Sequence, residues 1–202
     1  MVERGVDEDK RATLKRFAAL GAATPFVGLR DGGEASRSDA RDAIVGYLSA
    51  TPGAHFSKVR DDLQLGTGET QHHLRRLLDN GVVEARRDGD YRRFYPADQF
   101  SEFEQVALGF LRRPTARGMV IELLRDPTAT GGDLADALDV SRATVSNYAG
   151  DLERAGLLSR ADGYAVVEPE TIITLLVRYA DSFGSDADTF AREVSGLIRF
   201  DP

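Results

Sequence analysis

Gly66-Thr-Gly-Glu-Thr-Gln-His-His-Leu-Arg-Arg-Leu-Leu-Asp-Asn-Gly81, followed by Val82-Val-Glu-Ala-Arg-Arg-Asp-Gly-Asp-Tyr-Arg-Arg-Phe-Tyr95, decides how this chain folds. In the first part Thr70, Leu74, Leu77 and Leu78 recur at helical spacing, which gives one apolar face from about Thr67 to Asn80. Asn80-Gly81 then stops the helix, since both residues tolerate the left-handed conformation. In the second part Val82–Arg87 and Tyr91–Tyr95 read as strands around Asp88-Gly89, a pair favoured in tight hairpins.

Upstream, Ile44, Val45, Tyr47 and Leu48 supply a helical face that ends at Thr51-Pro52-Gly53. Phe56, Val59, Leu63 and Leu65 suit a second, shorter helix and its exit. The whole pattern then recurs: residues 42–81 align without a gap with residues 117–156, at a constant offset of 75. Ile44 falls on Met119, Leu48 on Leu123, Pro52 on Pro127 and Val59 on Leu134. Leu63 falls on Leu138, Leu77 on Leu152 and Gly81 on Gly156. Asp162-Gly163 breaks a second strand pair, Leu157–Arg160 and Tyr164–Val167. Thr130-x-x-Asp133 has the form of a capping box, and Ser141 is placed to cap the next helix, which turns Val145, Tyr148, Ala149 and Leu152 inward. Apolar, turn and helix-stop residues are what recur, so the repeat is one of fold. Three short helices and a hairpin make a winged helix-turn-helix, and the expectation is a mainly α chain with two such modules in tandem.

The expected bounds are an N-terminal helix and linker over 1–38, a first module over 39–98 and a connecting helix over 99–113. A second module follows over 114–168, with C-terminal helices over 169–202. The N-terminal helix runs from about Asp7 to Ala22. Lys15-Arg16 ahead of a short apolar run has the outline of an export signal, but the acids at Asp7, Glu8 and Asp9 favour a packing helix and a cytoplasmic protein. After Pro169 the apolar residues Ile172, Ile173, Leu175, Leu176, Tyr179 and Phe183, then Phe190, Val194, Leu197 and Ile198, exceed what a small module needs. They read either as a dimer interface or as intramolecular cover for the N-terminal helix.

The chain of 202 residues has no Cys, which removes disulfides, thiolate metal sites and cysteine nucleophiles together. His55, His72 and His73 are the entire imidazole supply, and neighbours on a helix diverge, so no metal or other cofactor is expected. No glycine-rich phosphate loop or nucleophile elbow is present, and catalysis is not expected. No run reaches the ~20 apolar residues of a membrane span. Net charge is −7, with 23 Arg against 3 Lys and 21 Asp against 12 Glu. That acidic, lysine-poor balance fits a cytoplasm of molar salt, where the Debye length is only about 3 Å and acids away from a contact are barely felt.

The chemistry lies on the helix and the hairpin. The face opposite Leu74 and Leu77 presents Thr67, Gln71, His72, Arg75 and Arg76. Gln pairs bidentately with adenine and Arg with guanine when a helix enters the major groove. The hairpin adds Arg86, Arg87, Arg92 and Arg93, of which alternation lets about half face DNA. The second module offers Arg142, Ser146 and Asn147, but Asp151 and Glu153 share that helix. It reads as a secondary DNA contact or as a scaffold.

The strings Pro52-Gly-Ala-His-Phe-Ser-Lys-Val59, Gly66–Leu77 and Ser141-Arg-Ala-Thr-Val-Ser-Asn147, with Leu175–Gly184, resemble haloarchaeal regulators with two winged helix-turn-helix modules, loosely similar to the MarR and ArsR groups. The resemblance implies a homodimer on pseudo-palindromic double-stranded DNA, with Gln71, His72 and Arg75 at the recognition-helix positions. The absence of Cys sets this chain apart from ArsR-type metal sensors. The expected function is therefore a sequence-specific transcriptional regulator, a repressor by occlusion. The alternative is a winged-helix scaffold for protein partners. A small-molecule effector between the second module and the C-terminal helices, against Tyr148, Ile172, Leu176 and Tyr179, is compatible with the first reading.

Overall fold

The computed structural model describes residues 12–17, 19 and 35–197. It divides into two compact units between Ser101 and Glu102. In the first, α1 (Ala35–Ala50) leads through β1 (Ala54–His55) into α2 (Phe56–Asp62) and α3 (Thr67–Asp79). β2 (Val83–Asp88) and β3 (Tyr91–Pro96) then form the hairpin. The sheet order is β1-β3-β2, all antiparallel. Asp88 pairs with Tyr91, so the loop is Gly89-Asp90, one residue later than the sequence suggests. Gly89 takes φ +59 at the first loop position, where a type II′ turn demands it. The core gathers Ile44, Tyr47 and Leu48 of α1, Val59 and Leu63 around α2, Leu74 and Leu77 of α3, and Val83 and Phe94 of the hairpin. Residues 12–17 are helical, and Leu14 and Phe17 pack on this core, Phe17 edge-on to Tyr47 at 5.3 Å. The rest of the expected Asp7–Ala22 helix lies outside the described residues.

The second unit comprises α4 (Glu102–Leu111), α5 (Pro114–Arg125), α6 (Gly131–Ala137) and α7 (Arg142–Arg154), then the hairpin β4 (Leu158–Ser159) and β5 (Ala165–Val166). It ends with α8 (Pro169–Arg178), α9 (Ala180–Phe183) and α10 (Ser185–Leu197). Both units are winged helix-turn-helix domains, and the repeat reaches the backbone hydrogen bonds. Leu65 N donates to Arg60 O at 2.9 Å, and Val140 N to Ala135 O at 3.0 Å. Val82 N donates to Leu77 O at 2.9 Å, and Leu157 N to Leu152 O at 2.9 Å. Gly81 and Gly156 stop α3 and α7 at φ +66 and +74. The Thr130–Asp133 capping box forms, and the Ser141 hydroxyl accepts from Thr144 N at 3.0 Å.

Three findings differ from the sequence reading. α1 begins at Ala35, inside the stretch read as a polar linker. β1 was not expected, because two residues carry no periodicity. Among the described apolar residues after Pro169, Ile172, Leu175, Leu176, Tyr179 and Phe190 are buried, and they cover helices of the second unit rather than the N-terminal helix. α8 packs against α4, and α10 against α5 and α8. Arginines fasten these helices. Arg117, buried, donates to Leu111 O at 2.8 Å and to Asp186 Oδ2 at 2.9 Å. Arg112 donates to Ser182 O at 2.5 Å, and Arg125 grips Glu193 through two nitrogens at 2.9 Å. Burial opposes ionisation of Asp186, but the hydrogen bond and charge of Arg117 outweigh it and hold the carboxyl below its ordinary range.

A candidate nucleic-acid interface

α3 sorts its side chains cleanly. Thr70, His73, Leu74 and Leu77 are buried, while Thr67, Gln71, His72, Arg75 and Arg76 are all exposed. His73 joins the inward face unannounced by the sequence pattern. Burial pushes its imidazole pKa down from the ordinary value, and neighbouring His72 pushes it the same way. The helix starts at Gly66, whose N–H donates to Glu69 Oε2 at 3.3 Å, so Thr67 and its exposed neighbours begin at a fixed first turn.

The strand register sorts the hairpin arginines. Arg87 lies opposite Arg92 and Arg86 opposite Arg93. Directly paired residues share a sheet face, so Arg87 and Arg92 point one way and Arg86 and Arg93 the other. Arg87 and Arg92 are exposed, Arg86 is half-buried, and Arg93 is only 3% exposed. Arg93 donates from Nη1 to Gly53 O at 3.0 Å and from Nε to Asp88 Oδ2 at 2.5 Å. It therefore leaves the set of DNA-contacting candidates: the side chain is buried and two of its three nitrogens are committed inside the protein. The sequence hid this, because Tyr91-Arg-Arg-Phe-Tyr-Pro96 shows no apolar alternation to reveal which arginine turns in.

Between α3 and the hairpin lies a groove of about 590 Å³. It is lined by the polar side chains of Thr67, Gln71, Arg75, Asp79 and Arg92 and by the apolar side chains of Phe56, Leu74, Leu78 and Phe94. A helix arginine and a wing arginine 17 residues apart in sequence, Arg75 and Arg92, thus lie along one concave surface. Among the described residues, no carboxylate forms an ion pair with Arg75, Arg76, Arg87 or Arg92.

The second unit presents Arg142, Ser146 and Asn147 on the exposed face of α7, as its sequence suggests. The repeat offset sets Ser146 against Gln71, Asn147 against His72, Gly150 against Arg75 and Asp151 against Arg76. Arg154 pairs with Asp151, and Arg160 of the wing with Glu153 at 2.5 Å. A second groove of about 820 Å³ lies between residues 127–131 and the short wing, lined by Glu153, Arg160 and Tyr164 among others. Tyr148 is half-buried, whereas Ile172, Leu176 and Tyr179, the residues suggested for an effector pocket, are buried in side-chain packing. Among the described residues no group of three or more His, Asp or Glu side chains could hold a metal ion, and no helix is long and apolar enough to cross a membrane.

Comparison with known proteins follows the same division. Residues 38–108 match the family model of an N-terminal HTH domain, and residues 110–164 match the model of the MarR family. An uncharacterized HTH-type transcriptional regulator of Methanocaldococcus jannaschii is 25% identical over 163 residues, covering 78% of this chain and 41% of that protein. The chain therefore spans less than half the length of this relative. No solved structure matches.

Proposed function

We propose that this protein is a transcriptional regulator that binds double-stranded DNA and reads it mainly with the first unit. The observation that carries the reading is the shared groove: Thr67, Gln71 and Arg75 of α3 face the same concavity as Arg92 of the wing, with no carboxylate paired to either arginine among the described residues. A helix in the major groove would bring Gln71 and Arg75, one turn apart, to neighbouring base edges. Arg87 and Arg92 would meet the phosphate backbone or the adjacent minor groove. His72 and Arg76, exposed beside them, extend the contact toward the flanking phosphates. Arg86 is placed to approach DNA only from the opposite sheet face.

The two family matches and the name of the archaeal relative support the same class of function. Arg142, Ser146 and Asn147 are assigned a subordinate DNA contact. Occupation of a promoter by such a module blocks polymerase, so the regulator is proposed to repress. Two copies on a pseudo-palindromic site remain part of the proposal on the strength of the resemblance, with the interface sought away from the buried C-terminal face.

The test is fluorescence anisotropy with fragments from upstream of its own gene, in KCl from ~0.2 M to ~2 M, a span over which screening becomes nearly complete. Specific binding is expected. Replacing Arg87 and Arg92 together by Ala should reduce the slope of log K on log salt by about 1 to 2, because each phosphate-neutralising cation contributes roughly one unit. A slope unchanged by the double variant would overturn the wing assignment. Undiminished binding after Arg75→Ala as well would move the reading surface off the first unit.

A further inference from the structure

We propose that Arg93 is a positioning residue for DNA binding: it clamps the tip of the wing to the β1–α2 shoulder and so sets where Arg87 and Arg92 stand relative to α3. The inference rests on the DNA-binding reading above. β1 pairs with β3 only as far as Ala54↔Phe94 and His55↔Arg93, so beyond Arg93 the wing is a bare two-stranded ribbon. Such ribbons are marginal by themselves in water. Arg93 sits at the last supported position, and its side chain continues the support outward.

The partners come from three directions. Nη1 reaches Gly53 O at 3.0 Å on the turn before β1. Nε reaches Asp88 Oδ2 at 2.5 Å, the last residue of β2 before the loop. The guanidinium carbon lies 5.5 Å from the centre of the Tyr91 ring, the first residue after the loop. Tyr91 in turn stacks on His55 at 4.9 Å, and His55 Nδ1 caps α2 by accepting from Lys58 N at 3.3 Å. One end of the loop is thus tied through Arg93 to the turn before β1, and the other through Tyr91 and His55 to the start of the helix that precedes α3. Arg93, Asp88, Tyr91 and His55 lie on the sheet face opposite Arg87 and Arg92, and none of them lines the groove, so the clamp fixes the tip without occupying it.

Gly53 belongs to the same device. It holds φ +77, and a Cβ there would meet the Tyr95 ring at 3.3 Å, so the carbonyl that Arg93 grips is presented by a residue that only glycine fills easily. The second unit works differently. Its wing arginine, Arg160, is bound to Glu153 on α7 itself, which ties that wing across its recognition helix.

A pre-set tip spares the complex the ordering of two long side chains and a loop, so losing the clamp weakens binding without removing any DNA contact. The experiment has two arms, on Arg93→Gln and, because a buried arginine can be needed for folding, on Asp88→Asn. In the free protein, ¹⁵N relaxation should show the amides of residues 87–92 becoming mobile in either variant while α1–α3 stay ordered. An unchanged, ordered tip in both would overturn the clamp. In binding, each variant should weaken DNA affinity roughly tenfold in the wild-type background and hardly at all in the Arg87→Ala/Arg92→Ala background, since coupled residues depart from additivity. Equal losses in both backgrounds would show a general loss of structure and overturn the positioning role. Wild type that binds no DNA would defeat the function proposed above, and with it the positioning role; the relaxation arm would still decide whether the clamp exists.

Discussion

The two units share a backbone and differ in what α3 and α7 carry. The turn hydrogen bonds, the glycine stops and the inward leucines coincide at the offset of 75. At the same offset Arg75-Arg76 becomes Gly150-Asp151, and a six-residue wing strand becomes a two-residue one. The first unit spends its arginines in two ways, with Arg93 turned in and Arg75, Arg87 and Arg92 turned out. The second unit spends two of its winged-helix arginines on neighbouring carboxylates, as Arg154–Asp151 and Arg160–Glu153. A helix-turn-helix frame is therefore set by a dozen apolar and turn residues. Its capacity to meet a polyanion is set by a handful of others, which change while the frame stays.

If the frame is common to both units, its equivalent core positions should cost alike. Leu77 and Leu152 are 2% and 0% exposed, on the inward faces of α3 and α7. Leu77→Ala and Leu152→Ala should each destabilise by about 2–5 kcal/mol, the usual range for a buried leucine. Urea denaturation followed by circular dichroism measures both. A cost below about 1 kcal/mol at either site would mean that the unit concerned is not built around its leucine in the way the repeat requires.

The surfaces should separate where the cores agree. Arg75→Ala is expected to cost about 1–3 kcal/mol of DNA-binding free energy and to relax sequence preference at one position, as loss of a bidentate base contact does. Arg142→Ala, on the exposed face of α7, should cost less than about 0.5 kcal/mol, the scale of an ordinary surface change. Anisotropy on one operator and on its single-base variants reads both. Equal losses would erase the distinction drawn between the units and make the second a full partner in recognition.

This asymmetry explains how much could be read from sequence. Leu74, Leu77 and the hairpin glycine announced the fold because helical periodicity and turn chemistry are local signals. The exposed residues of α3, Thr67, Gln71, His72, Arg75 and Arg76, followed from the same periodicity. Arg93 did not, because two adjacent arginines in Tyr91–Pro96 differ only in which sheet face they occupy, and that is fixed by pairing with β1, a strand too short to leave a pattern. His73 was hidden for a similar reason: an imidazole at an inward position scores as polar until its surroundings are seen. The C-terminal apolar residues were legible as an excess, yet their partner was not, since α4 and α5 lie far earlier in the chain, ending at Leu111 and Arg125.

His73 also offers a smaller test of the comparison, because the equivalent position in α7 is Tyr148, which carries no imidazole. Burial first, and the charge of His72 second, lower the pKa of His73 in the folded protein from 6.5. Burial first, and Arg93 second, lower that of His55 in the same way. The unfolded chain then holds more protons just below the ordinary histidine value, so stability is full above about pH 6.5 and falls as the pH drops toward the folded pKa values. His73→Leu should flatten that fall. Denaturation at about pH 7.5 and about pH 5.5, on either side of the ordinary value, measures the difference. A pH dependence as steep in the variant as in wild type would place the linkage elsewhere, with His55 next in line.

The smallest effect is expected at the turn between the two helices of each motif. Gln64 and Asp139 occupy the same repeat position and both take positive φ, +54 and +51. Left-handed backbone costs an ordinary side chain about 1–2 kcal/mol, less for Asp, whose short side chain can bond locally. Glycine removes that strain but gives back about 0.5–1 kcal/mol in chain entropy. Gln64→Gly should therefore stabilise by roughly 0.5 kcal/mol, while Asp139→Gly should come out near zero or slightly unfavourable. The ordering matters more than the sizes. If Asp139→Gly stabilised as much as Gln64→Gly, the two turns would be equally strained, and the aspartate would be doing nothing there that glutamine does not. If Gln64→Gly destabilised, the glutamine side chain would have to be making a contact that outweighs its backbone strain, and the first unit's turn would differ from the second's in more than sequence.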